Sequence, residues 1–241
     1  MSATADTLAE ARRALADARD AQALPQAVVR FHRKVDEVIA ESIKGHAVEV
    51  ACKRGCGYCC HMQVEILPPE GFALAAWLRR SFDAARLAAV IERLRANAAR
   101  TRELGLEGRK RANLPCALLG DDGACSAYEA RPAQCRRFHS TNLATCLGSH
   151  AAPDDDSIES PAHPLVSHNA QVIVTVAQHG MRDAGLDATP LDMNYALLEA
   201  LENPSAQRRW RDGKKAFVNA SRLARVFIPA LWAAAVLTDF D

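Results

Sequence analysis

From Pro25 to Gly45 the apolar residues Val28, Phe31, Val35, Val38 or Ile39, and Ile43 recur every three or four positions. That spacing puts them on one face of a helix. Pro25 suits the first turn, where its missing N–H costs nothing, and Gly45 suits the stop. Upstream, Thr4–Asp20 is alanine-rich with interspersed Glu, Arg and Asp, and predicts a surface helix. Gln63–Leu67 is short enough to be extended. Pro68-Pro69-Glu70 then opens a helix carrying Phe72, Leu74, Ala76, Trp77 and Leu78. Asp83–Leu104 continues as an arginine-rich helix. Gly120-Asp121-Asp122-Gly123 reads as a turn, and Pro153–Pro164, acidic and flanked by proline, as a loop. Helical spacing resumes over Val166–Met181, Pro190–Leu201 and Gly213–Leu237, the last ending in a buried apolar run around Pro229, Trp232 and Val236. Strands and helices do not alternate and nothing repeats, so no parallel sheet is expected.

The pattern therefore predicts a mainly α protein, residues 1–241 forming a single helical domain. Composition agrees. With 49% hydrophobic and 24% charged residues, 241 residues suffice for one substantial core. Aromatics at 5% favour packed helices over a sandwich or barrel. A net charge of +1 gives no overall pull toward nucleic acid or an acidic membrane. Met1–Asp20 lacks the basic head and apolar stretch of a secretory signal, and Val226–Leu237 is short of the ~20 residues that span a bilayer. A cytoplasmic location without membrane contact is expected. In that reducing compartment the eight cysteines are not expected to pair as disulfides.

All eight cysteines fall between Cys52 and Cys146, which calls for a local chemical cause. The first group reads Cys52-Lys-Arg-Gly-Cys56-Gly-Tyr-Cys59-Cys60-His61. Thiolates two or three residues apart on a glycine turn can aim at one ion, and Gly55 and Gly57 supply the turn. Cys59 and Cys60 are adjacent, so their side chains diverge: either one is not a ligand, or the pair serves two metals. The second group is Cys116, Cys125 and Cys135, with His139 and Cys146 beyond. A buried cysteine is often just a small hydrophobe, and for Cys146 that reading is as good as ligation. The cations Lys53, Arg54, Arg136 and Arg137 would stabilise a thiolate-rich site, or are simply solvated.

The motif Cys52–Cys60, the dipeptide Pro115-Cys116, the run Cys125-Ser-Ala-Tyr128-Glu-Ala-Arg131-Pro132 and Cys135-Arg136 together resemble the CxxCxxCC, or YkgJ-family, cysteine cluster proteins, a zinc- or iron-chelating domain. The likeness covers roughly residues 50–140. It departs in one place, since three residues rather than two separate Cys52 from Cys56. It implies metal chelation without implying a reaction. Flagellin lysine methylases look like relatives, which keeps an enzymatic role open.

Two other readings compete. Cys52, Cys56 and Cys59, with Tyr58 before the last, also fit the three-cysteine pattern of radical S-adenosylmethionine enzymes holding a [4Fe–4S] cluster, but too few strands are expected for their partial β/α barrel. Alternatively, zinc closed by four thiolates is purely structural and the helices form an interaction module. The run Arg79–Arg111, ten basic residues against four acidic, would then face RNA, DNA or an acidic protein. It lacks interleaved aromatics for base stacking, so a solvated helix face is the simpler expectation. The expected ligands of zinc, iron or an iron–sulfur cluster are Cys52, Cys56, Cys59, Cys60, Cys116, Cys125 and Cys135, within a region spanning 50–146. His61, His139 and Cys146 stay open. Tyr128, Arg131 and Pro132 shape the loop, Arg131 by hydrogen-bonding carbonyls around the site.

Overall fold

The computed structural model describes residues 5–20, 22–159 and 161–219. The expected C-terminal run Val226–Leu237 lies outside them. In chain order the elements are α1 (Ala5–Ala14), α2 (Leu24–Gly45), β1 (Glu65–Ile66), α3 (Pro68–Ser81), α4 (Ala84–Lys110), α5 (Ala133–Arg137), α6 (Leu143–Ala151), α7 (Pro164–Asp183), β2 (Leu191–Asp192), α8 (Met193–Glu202) and α9 (Ser205–Arg211). The protein is mainly α. Among the described residues the one sheet is the antiparallel pair β1–β2, with Glu65 opposite Asp192 and Ile66 opposite Leu191. The partial barrel of a radical enzyme is therefore not found in the described part of the chain.

The periodic residues of α2 do what their spacing predicts: Val28, Phe31, Val35 and Val38 are buried, and α2 packs on α7. Helix α3 starts at the two prolines and buries Phe72, Leu74 and Leu78 against α8. Asp83 caps α4 by accepting from the Arg86 N–H. Gly105, at φ 66°, breaks that helix one residue after the expected end at Leu104. Helix α8 begins three residues later than Pro190, because Leu191 and Asp192 pair with β1 and Asp192 caps Asn194.

The first segment lies at the surface, as its composition predicts, but its inner face docks on the core. Ala11, Leu15 and Ala18 are fully buried, and α1 packs closely on α7. The small residues permit the approach: a methyl group on Gly180 would sit 1.8 Å from the Arg12 carbonyl oxygen. Alanine reads as weakly apolar in sequence, yet it suits a tight helix crossing.

Candidate metal centre

The cysteine region is stitched together by its own backbone. After α2, Ala51 donates to the Ser140 carbonyl (2.8 Å). The chain turns at Gly55 (φ 81°), Cys56 bonding back to Lys53 (3.1 Å), and enters a 3₁₀ turn over Tyr58–His61. The second stretch forms a tight reversal: Leu119 bridges Cys125, the Gly120 N–H reaches the Ala124 carbonyl (2.8 Å), and the Asp122 carboxylate accepts from Ala124 N–H (3.0 Å). Gly123 needs its positive φ of 73° for this turn.

The two stretches meet glycine to glycine. A Cβ on Gly123 would lie 2.6 Å from the Gly55 carbonyl oxygen, and one on Gly57 would lie 3.0 Å from that of Gly123. Beside this contact the Cys116 N–H donates to the Cys60 carbonyl (2.8 Å). Hydrogen bonds and a side-chain-free crossing thus join these segments through their own backbone. Gly57 serves close approach more than turn freedom.

Three buried side chains hold the stretches to the helical core, and sequence reasoning singled out none of them for this role. Arg109, at the end of α4, donates to the carbonyls of His61 (3.1 Å), Met62 (3.3 Å) and Ala112 (3.1 Å). Asn97 donates to the Pro115 carbonyl (2.9 Å). Glu70 on α3 is 3% exposed and accepts from Leu67 N–H (3.0 Å), His32 Nε2 (2.8 Å) and Ala133 N–H (2.7 Å), the last at the first turn of α5. Cys135 sits on α5, so Glu70 fixes its helix. The available signal was positional: Glu70 is the third residue of a proline-initiated helix, where a carboxylate reaches back to the backbone.

Five of the seven expected ligands come within electrostatic range of one another: Cys59, Cys60, Cys116, Cys125 and Cys135. Adjacent Cys59 and Cys60 lie close enough to influence one another: the neighbouring Cys60 thiol lowers that of Cys59 to about 7, and Cys59 raises that of Cys60. Burial pushes Cys116 up to about 11 and Cys135 far above its ordinary value. Burial also raises Cys125, opposed by the Ala127 N–H and the charge of Arg131.

Cys52 is within range of Cys56, of Cys146 on α6 and of Cys59, which links it to the first set. Burial raises the Cys52 thiol, the Ser140 N–H (3.2 Å) offsets part of this, and the charges of Cys56, Cys59 and Cys146 add to the rise. His61 bonds the Gly57 carbonyl through Nδ1 (3.1 Å) and packs edge-on against His150, ring centres 4.6 Å apart. His139 uses both ring nitrogens structurally: Nδ1 bonds the Arg137 carbonyl (3.0 Å) and Nε2 accepts from His163 N–H (2.9 Å).

The cations bearing on these thiols are not those expected from flanking sequence. Arg131 lowers Cys59 and Cys125, and Arg109 lowers Cys116. Arg131 stacks 4.0 Å over the Tyr128 ring and its side chain donates to no carbonyl among the described residues. Arg136 takes the carbonyl role instead, bonding Arg131 (2.8 Å) and Glu129 (2.7 Å) and pairing with Asp36 (2.5 Å).

The donor set suits a thiophilic ion: soft sulfurs, two nearby guanidiniums to balance thiolate charge, and little competing carboxylate. Among the described residues no three His, Cys, Asp or Glu side chains already form a closed ligand set, so the sulfurs are gathered but not converged on one point. No helix among the described residues is long and apolar enough to cross a membrane. No curated protein and no solved structure matches the chain. Residues 51–159, under half of the chain, do match a family model, described as a putative zinc- or iron-chelating domain, and the match runs past Cys146 into the acidic loop. This cysteine segment is similar to the CxxCxxCC family.

Proposed function

We propose that this protein holds a zinc or iron ion through Cys116, Cys125 and Cys135 together with Cys59 or Cys60. The observation carrying the reading is that these thiols, contributed by three separate stretches of chain, lie within range of one another's charge beside Arg109 and Arg131. Bound metal would draw the sulfurs together as thiolates and release their protons. Arg131 and Arg109 would then balance the accumulated negative charge. Glu70 would hold the helix of Cys135 in place.

A second ion is a separate reading, favoured by the neighbourhood of Cys52, Cys56 and Cys146. The same sulfurs could hold an iron–sulfur cluster, which would give the protein a role in electron or methyl transfer. Metal analysis and an absorption spectrum of one anaerobically purified sample separate these readings. Stoichiometric zinc in a colourless protein identifies a zinc site, and iron with sulfide in a brown protein identifies a cluster. Cys116→Ser and Cys135→Ser should each abolish the metal of the buried set, whereas Cys146→Ser should leave it. A colourless wild-type protein without metal overturns the proposal.

A further inference from the structure

The arginine-rich run is largely consumed by the fold, and what remains of it faces a cleft. Arg79 bonds the Leu201 carbonyl (2.6 Å), Arg93 that of Ala117 (2.9 Å), and Arg111 the Asp156 carboxylate (2.9 Å). Arg95 joins Glu202 (2.5 Å), and Arg100 and Lys110 pair with Glu103 (3.0 Å) and Glu107 (2.9 Å). The Arg80 side chain has no hydrogen bond or ion pair among the described residues, and the same holds for the side chains of Arg30 and Arg33 on α2.

These three cations border a cleft of about 420 Å³ between α2 and α3 and the depression that continues it. Its floor is apolar, built on Val28, Val29, Ala73 and Trp77, and Val29 stays 55% exposed. Of the other polar groups facing it, Arg136 pairs with Asp36 and His32 bonds Glu70, while Glu129 also lines the cleft.

Such a cleft is within the size range of small-molecule sites, which combine an apolar floor with a few convergent polar groups. Exposed guanidiniums without a carboxylate partner are available to a carboxylate, phosphate or sulfonate, which they bind through paired N–H donors. We propose that the cleft between α2 and α3 binds a small organic anion, its apolar body on Val29 and Trp77 and its acidic group on Arg33 and Arg80, with Arg30 at the outer rim. No cysteine lines the cleft, and the proposal does not rest on the metal reading.

Anilinonaphthalene sulfonate is a suitable probe, because it joins an aromatic body to a fixed negative charge. The full-length protein as purified should bind it saturably, with a blue-shifted rise in fluorescence. The double variant Arg33→Ser/Arg80→Ser should weaken binding at least ten-fold with an unchanged melting curve, since neither side chain makes a described contact. Val29→Asp, placing a carboxylate on the exposed floor, should weaken it comparably. Absence of saturable binding, equal binding by the double variant, or equally tight binding of anilinonaphthalene lacking the sulfonate would each overturn the proposal.

Discussion

Gly123 shows how one missing side chain assembles the cysteine region. Its φ of 73° and the 2.6 Å from its would-be Cβ to the Gly55 carbonyl oxygen leave alanine no room. Gly123→Ala carries a left-handed backbone penalty of about 1–2 kcal/mol and an overpacking cost of about 1–3 kcal/mol. Thermal unfolding should therefore begin several degrees lower, and metal content should fall, because the loops of Cys56 and Cys125 are pushed apart. Gly120→Ala is the control. There the closest atom is the movable Asp122 carboxylate, at 2.8 Å, and φ is not positive, so the loss should be small. Glu70 makes a different kind of contribution. Truncation by Glu70→Ala strands three buried donors, on Leu67, His32 and Ala133, each costing about 1–3 kcal/mol when unsatisfied. Urea unfolding should show a loss of at least about 3 kcal/mol, and retained stability would mean water replaces the carboxylate.

Among the elements, the β1–β2 pair places two carboxylates face to face, Glu65 opposite Asp192. Burial, and then the neighbouring Asp192 charge, raise the Glu65 carboxyl; burial also raises that of Asp192. A carboxyl whose folded value lies above its unfolded one binds its proton more tightly when folded. The associated stability is present at low pH and lost as pH rises through the folded value. Glu65→Gln removes the repulsion, so at neutral pH it should stabilise the protein by about 0.2–1 kcal/mol, the usual scale of a like-charged cross-strand pair. The gain should vanish toward pH 4. A gain that persists unchanged in acid would assign the effect to something other than charge. The elements also show where sequence was readable. Helices α2, α3, α4 and α7 announce themselves through apolar spacing, prolines in the first turn and the Gly105 break. The short helices α5, α6 and α9 do not. α6 exposes Leu143 and Leu147 and buries no residue completely, so no apolar face marks it, and only the Asn142 cap signals its start. A stretch carrying ten basic residues likewise cannot reveal that Arg109 points inward to three carbonyls.

Across the whole molecule, the helical core and the cysteine region are joined but differently held. The core runs continuously through Phe31 and Val35 of α2, Leu74 and Leu78 of α3, Ile173 and Met181 of α7, and Leu197 of α8, with Trp210 and Phe217 closing it. Cys116, Cys125 and Cys135 pack against this core, and Ala117, Leu118, Ala127 and Ala133 of the cysteine region belong to it. Family resemblance and the clustering of cysteines lead to the expectation of Cys52, Cys56 and Cys59 or Cys60 acting with some of Cys116, Cys125 and Cys135. The nearness of Cys146 to Cys52 was not legible, because it depends on where α6 docks on the Tyr58–His61 turn. This arrangement decides what metal removal should do. A small zinc module unfolds without its ion because the ion replaces a core. Here the loops are already tied by the Cys60–Cys116 and Ala51–Ser140 backbone bonds, and most of the core comes from helices outside the cysteine region. Removing the metal from the protein with a strong chelator should therefore leave far-ultraviolet circular dichroism at room temperature nearly unchanged. It should still lower the melting temperature, since a ligand present at about a thousand times its dissociation constant adds about 4 kcal/mol to the folded state. For a chain of this size that corresponds to roughly 8–16 °C. Collapse of the helical signal on chelation at room temperature would instead make the metal a structural keystone, and the backbone ties described here too weak to hold the region alone.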